Sequence, residues 1–361
     1  MSAQWHDGVV TTEDGLELPI AHRPPRGDDG LAVICLHGAS AWSDTFRLPR
    51  GTSLADALHA AGHSVWLANW RGSMKVVPQI EGRDSNLDVA AAVDLPAIFE
   101  HVRREETKAG RQRPIAVVAH CLGSAALHAA IGGGHLGPEH IDGPLVCSTI
   151  GLFFVSPWDG WLKAADHVLV RMVAGHRDVR FLNPSAKEGE PGYWPKPISG
   201  AYDIWPDALL PARGTRPAHD LYRRVAFMFG RPYRDDIVDE AIHGEELLNQ
   251  FGAMDMGIYL HGTQAIRRGH LAPMDAPADR ADAYLRRDRF APFRLNYLTG
   301  HRNELWHRES VDRMVEWLRR PGGPRHVRKE IFHGYAHQDL YWARDAHREV
   351  VPRILEWLDE E

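Results

Sequence analysis

The sequence has little cysteine: three residues, Cys35, Cys121 and Cys147, in a chain of 361. An odd count with no closely spaced pair gives no support for a disulfide framework or a zinc site, and it fits a reducing compartment. An excess of positive charge is also lacking, since the formal net charge is -6. A nucleic-acid surface needs a concentrated basic face, and none is visible here. No uninterrupted apolar run reaches the roughly 18–20 residues that cross a bilayer. The start, Met1 to Asp7, has neither the basic segment nor the apolar segment of a secretion signal. Internal repeats and low-complexity tracts are absent as well. The expectation is a cytoplasmic protein that acts on a small molecule, without nucleic acid or a membrane span.

What is present is ample apolar material, 44% of the residues, arranged in an alternating order. Val9 to Arg23 reads as a hairpin turning at Asp14-Gly15. Leu31 to Leu36, Ser64 to Ala68 and Ile115 to Ala119 are short runs without polar alternation, as strands buried on both faces of a parallel sheet require. Helical stripes separate them. One carries Leu54 and Leu58, and another runs from Leu87 to Val102 with Pro96 marking a kink. After Leu145 to Ile150 the pattern stops. Residues 151–288 are rich in Trp, Pro, Gly and Arg, show no clear strand, and hold two amphipathic pieces, Trp161 to Val173 and Glu245 to Phe251. Strand, helix and strand resume at Phe293–Thr299, Ser310–Leu318 and Val327–Phe332. The implied fold is α/β, a mostly parallel doubly wound sheet. Residues 1–150 and 289–361 would form its core, and 151–288 an inserted helical lid.

The chemistry centres on Ile115-Ala-Val-Val-Ala-His120-Cys121-Leu122-Gly123-Ser124. A buried strand runs into a helix, with a cysteine at the corner and small residues two positions to either side. This is the G-x-S-x-G elbow with Cys for Ser and Ala for the first Gly. Taken alone, the pattern also fits a small buried structural cysteine. A helix N-terminus favours the thiolate, so an ionised Cys121 is expected. Upstream, Val33 to Leu36 ends in His37-Gly38-Ala39, which places the amides of Ala39 and Leu122 as an oxyanion hole. His37 and His120 read as structural. Downstream, the strand ending at Phe332 leads through Gly334 to His337, the candidate base, with His333 as a weaker rival. Asp339 would orient the loop or cap a helix. Gly300-His-Arg-Asn303-Glu304 follows another strand and offers Asn303, with Glu304 second, to hold the histidine ring; an amide suffices beside a cysteine. Gly132-Gly-Gly-His-Leu-Gly137 matches a dinucleotide string but follows a helix, so it is only a helix-ending loop. No cofactor and no metal are implied.

Leu67-Ala-Asn69-Trp70-Arg71-Gly72-Ser73, Asp94-Leu-Pro96, the elbow at 119–124, the turn at 300–303, the Gly334-Tyr-x-His-x-Asp339 loop and Val350-x-Pro-x-Ile354 resemble the acid-lipase branch of α/β-hydrolases. The closer resemblance is to the hydrolase domain associated with GMC-type, cholesterol-oxidase-like flavoproteins. It implies an α/β-hydrolase fold and hydrolysis of ester or lipid-like substrates, with Cys121, Asn303 and His337 at the matching positions. No FAD is implied, and Arg71 would tie its loop to the core. The cysteine and the missing aspartate after Gly300 depart from plain triacylglycerol lipases. Lid aromatics Phe153, Phe154, Trp158 and Trp161 suit either an apolar substrate or the lid's own core. Attack of Cys121 on an ester or thioester carbonyl would give an acyl-cysteine that His337 helps water to hydrolyse. The same acyl-cysteine would serve an acyltransferase, and a catalytically silent binding protein on this fold is the alternative from another class.

Overall fold

The structure is a computed structural model, and it describes residues 4–27, 29–48, 52–157, 181–190, 192–194, 196–205, 210 and 217–360. Its centre is a sheet of eight strands. In chain order these are β1 (His6–Thr11), β2 (Glu17–Arg23), β3 (Ala32–Leu36), β4 (Ser64–Ala68), β5 (Ile115–His120), β6 (Leu145–Ser148), β9 (Arg294–Gly300) and β10 (His326–Phe332). Across the sheet they run β1-β2-β4-β3-β5-β6-β9-β10. Only the β1–β2 and β2–β4 pairs are antiparallel. The expected hairpin is present, and Gly15 takes φ 74° at its turn, which a side chain there would oppose.

The central strands are buried on both faces, as their unbroken apolar runs require. Val33 and Cys35 pack into the core on one side of the sheet, and Ile34 and Leu36 into the core on the other. The stripe from Leu87 to Val102 is helical throughout, with its irregularity near Pro96 as expected. The backbone stays helical from Leu87 to Lys108 but widens over Ala90–Asp94, just before Pro96, which marks the irregularity. Arg71 is fully buried and bonds Asp94 at 2.6 Å, so it does tie its loop to the core. Gly134 ends the helix Cys121–Gly133 in the left-handed conformation, in keeping with a terminating loop.

Between β6 and β9 the described residues add no strand to this sheet. A short antiparallel pair, β7 (Phe181–Leu182) with β8 (Met254–Asp255), lies there, where no clear strand was expected. Helices cover Pro217–Phe229 and Met256–Arg268, neither of which the sequence reading had singled out. The piece Glu245–Phe251 contains the helix Leu247–Gln250. Trp158 and the piece Trp161–Val173 lie outside the described residues. No described helix is long and apolar enough to cross a membrane.

Candidate active site

The strand order turns back on itself at β3, whose neighbours are β4 on one side and β5 on the other. Loops at the carboxyl ends of two such strands diverge and leave a crevice. Leu36 pairs with Ala119 across β3 and β5, so the residues that follow each strand come face to face. The fit is close. A Cβ on Gly38 would lie 2.8 Å from the Cβ of Cys121, and one on Gly123 would lie 2.3 Å from the carbonyl oxygen of His37. The small residues around the elbow are therefore demanded by the approach of the two loops. Cys121 itself has φ 54°, a left-handed conformation costly for a residue with a side chain. Trp70 donates from its indole to the His37 carbonyl at 2.9 Å, and the Ser40 amide donates to Gly72 at 3.1 Å, which locks the upstream loop.

One cavity of about 790 Å³, counted out to its open mouth, brings together Cys121, Leu122, Ala39 and His337. Its remaining walls are almost wholly apolar, with Met228, Phe229, Met254, Ile258 and Ile266 among them. The amides of Leu122 and Ala39 face the sulfur, together with the indole of Trp306. The Trp306 Nε1 is buried and has no conventional hydrogen-bond acceptor. Its ring is held edge-on to Phe154 with centroids 5.1 Å apart.

The ionised thiol expected from the helix terminus is not found. Burial pushes the Cys121 pKa up to about 11, and the three facing donors only partly offset this. The sulfur is desolvated on all sides but its cavity face, and that outweighs a half-charge at a helix end. Burial likewise holds His337 down to about 3. At neutral pH the resting pair is thiol and neutral imidazole. No hydrogen bond joins the two side chains, although they share the cavity.

His337 is carried by a loop fixed from several directions. Asp339 accepts from the amides of Ala336 at 2.6 Å and Arg234 at 3.1 Å, and the Gln338 amide donates to Pro232 at 2.7 Å. Burial raises the Asp339 pKa to about 7 against the pull of those amides. Asp339 thus orients the loop backbone. The His120 ring packs on His337 with centroids 4.6 Å apart, and its Nδ1 lies 2.8 Å from Ser148 Oγ, so His120 is a packing and bridging residue. His333 is exposed, away from the cavity.

The turn after β9 is tied to the histidine loop by the Arg302 amide, which donates to the Tyr335 carbonyl at 2.9 Å. Asn303 is buried there. Its Oδ1 accepts from the amides of Leu305 at 3.0 Å and Trp306 at 3.1 Å, while its Nδ2 has no partner. The Nδ1 of His337 also has none. No hydrogen bond between Asn303 and His337 is formed. Glu304 points elsewhere: its side chain is 56% exposed, faces Arg231 at 3.7 Å and lines a separate polar cavity. Phe153 and Phe154 line no part of the Cys121 cavity; they pack on Trp317 and Trp306. Trp306 was missed by the sequence reading. The only signal available was its place three residues beyond Asn303, where an Asx-type cap directs the chain.

No family model matches the sequence, and no curated protein matches it. Solved structures do match the fold. The chain is similar to a lipase in its open form, with a TM-score of 0.60 and 17% identity over 99% of this chain and 98% of that one. It is similar to a monoglyceride lipase from Saccharomyces cerevisiae bound to a substrate analogue, at 0.61 and 13% over 99% and 94%. It is also similar to a carboxyl esterase from Bacillus coagulans in complex with glycerol, at 0.58 and 12% over 98% and 99%. This is the α/β-hydrolase fold. At such identities the likeness concerns the α/β-hydrolase fold alone, and chemistry has to be argued from the site.

Proposed function

We propose that this chain hydrolyses carboxylic esters or thioesters of an apolar acyl group through a covalent acyl-Cys121. One observation carries the reading: a cysteine at a left-handed strand-to-helix corner is faced by three N–H donors in an apolar cavity that also contains a neutral histidine. The fold's known lipases and esterases, and the resemblance to acid lipases and GMC-associated hydrolase domains, favour the same chemistry.

In this mechanism the sulfur turns from the donors toward His337 as substrate enters. Attack forms the S–C bond, the thiol proton passes to the free nitrogen of His337, and the carbonyl electron pair moves onto oxygen. The amides of Leu122 and Ala39 and the indole N–H of Trp306 receive that oxyanion; removing one such donor typically costs about a hundred- to a thousandfold in rate. Collapse expels the alcohol or thiol, which takes its proton from His337. Water then attacks the acyl-cysteine, gives a proton to the imidazole, and the thiolate leaves and is reprotonated. A thiol that transfers its proton during attack behaves as serine does, and needs no preformed ion pair.

Asn303 stands as the orienting candidate by its place in the turn after β9; its Nδ2 and the Nδ1 of His337 both lack a partner, while Glu304 faces Arg231 at the surface. Residues 151–288 act as the cap, a reading supported by Ser156, Val225, Met228, Phe251 and Ile258, all of which line the cavity. All three cysteines are free, which suits a reducing cytoplasm. A panel of p-nitrophenyl esters and acyl thioesters, run with wild type, Cys121→Ala and Cys121→Ser, tests the function. Turnover lost in Cys121→Ala supports it. Undiminished turnover in that variant refutes the acyl-Cys121 route, and none by wild type with ligand binding intact points to the silent binding protein. Ester or amide products formed with a competing alcohol or amine would point to acyl transfer.

A further inference from the structure

Gly262 sits in the middle of the helix Met256–Arg268, where glycine is the least suitable residue after proline. A buried helical glycine is usually explained by a neighbour too close for a Cβ. Here that explanation fails, because among the described residues nothing lies within 4 Å of the position a Cβ would take. Gly262 is nevertheless buried and lines the Cys121 cavity. Burial with empty space ahead of the backbone means that this residue faces the void itself. Ile258 and Ile266, one turn to either side, line the same cavity, so the helix presents a shallow notch between two branched side chains.

The helix is not free to turn this face away. His261, next in the chain, is fully buried; its Nδ1 accepts from the Leu87 amide at 3.2 Å and its Nε2 donates to the Ala272 carbonyl at 2.7 Å. The groups gathered around the reacting carbon come from other parts of the chain, at 38–39, 121–122, 306 and 337. The helix supplies only wall.

We propose that Gly262 sets the acyl-chain length this site accepts, its missing side chain leaving room for the part of a medium or long aliphatic chain that extends beyond the reacting carbonyl. This rests on the acyl-cysteine reading above. The test is a series of p-nitrophenyl esters from acetate to decanoate with wild type, Gly262→Ala and Gly262→Leu. The kcat/KM ratio of decanoate to acetate should fall at least about tenfold in Gly262→Leu, with Gly262→Ala between, since each lost methylene of pocket is worth a sizeable factor. An unchanged ratio, or an equal loss at every length, overturns the proposal. Gly262→Ala should also raise the thermal midpoint by about 1–2 °C, because helix propensity improves and nothing is struck; a lower midpoint means the space is not open. If wild type turns over no ester, the acyl-cysteine reading fails on its own. Calorimetric binding of decanoate then decides about Gly262: at least tenfold weaker binding in Gly262→Leu upholds the notch, and equal binding refutes it.

Discussion

Alkylation of Cys121 by iodoacetamide distinguishes a buried neutral thiol from a thiolate–imidazolium pair, and its magnitude follows from the site. With a pKa pushed to about 11, about one Cys121 in ten thousand is ionised at pH 7. An ordinary thiol near 8.5 is about 3% ionised, so the thiolate is about 300-fold scarcer here. A more basic thiolate is a stronger nucleophile, and a Brønsted slope of about 0.4–0.5 returns about 10- to 20-fold. The net expectation is labelling about 20-fold slower than free cysteine at pH 7, before any loss from restricted access. The rate should climb with pH beyond 9 without a plateau. His337, held near 3, is already neutral throughout that range and contributes no step. Cys147, raised to about 12, and Cys35, raised further still, are fully buried and do not line the Cys121 cavity, and should stay unlabelled in the folded protein. The assay is intact-protein mass against time from pH 5 to 10. Labelling at pH 5 or 6 as fast as at pH 9 would refute this argument and restore the ion pair.

Three further outcomes follow. Trp306→Phe keeps most of the ring and removes the N–H facing the sulfur; kcat for an ester should fall about 10- to 100-fold with KM little changed, and a rise in KM alone would place Trp306 in ground-state binding. Gly123→Ala forces a Cβ to 2.3 Å from the His37 carbonyl, backbone that cannot swing aside, and should cost roughly 3 kcal/mol or more, read as a lower denaturation midpoint. Asn303→Asp keeps an oxygen for the Leu305 and Trp306 amides and puts negative charge where an amide nitrogen now lacks a partner. A carboxylate there favours the protonated ring, so the His337 pKa should rise and the acid limb of kcat/KM should move to higher pH; an unmoved limb would separate Asn303 from His337.

The fold was legible because each central strand is a short apolar run ending at a loop, and burial on both sheet faces leaves that pattern in the sequence. Strand ends were placed within about two residues. The elbow was legible for a steric reason, since Gly123 must be small where the loop after β3 approaches. The segment between β6 and β9 was less legible. The helix Pro217–Phe229 does bury a stripe, Ala218, Leu221, Tyr222, Val225 and Met228, but it lies in a Pro- and Arg-rich stretch that hides it, while Met256–Arg268 is buried nearly all round and so shows no stripe. The charge state of Cys121 was misjudged because a helix terminus can be seen in a sequence, whereas desolvation depends on residues such as Trp306 and Ile258 that arrive from far along the chain. The role of Asn303 is not legible from its position alone, because its oxygen is already spent on two backbone amides and no bond joins it to His337.

The most direct measurement is the mass of the protein quenched within seconds of mixing with a p-nitrophenyl alkanoate. The predicted result is an adduct equal to the acyl group, located on the peptide that contains Cys121, formed in wild type and abolished in Cys121→Ala along with turnover. Ester turnover that persists in Cys121→Ala, or an acyl group found on any other residue, would contradict it.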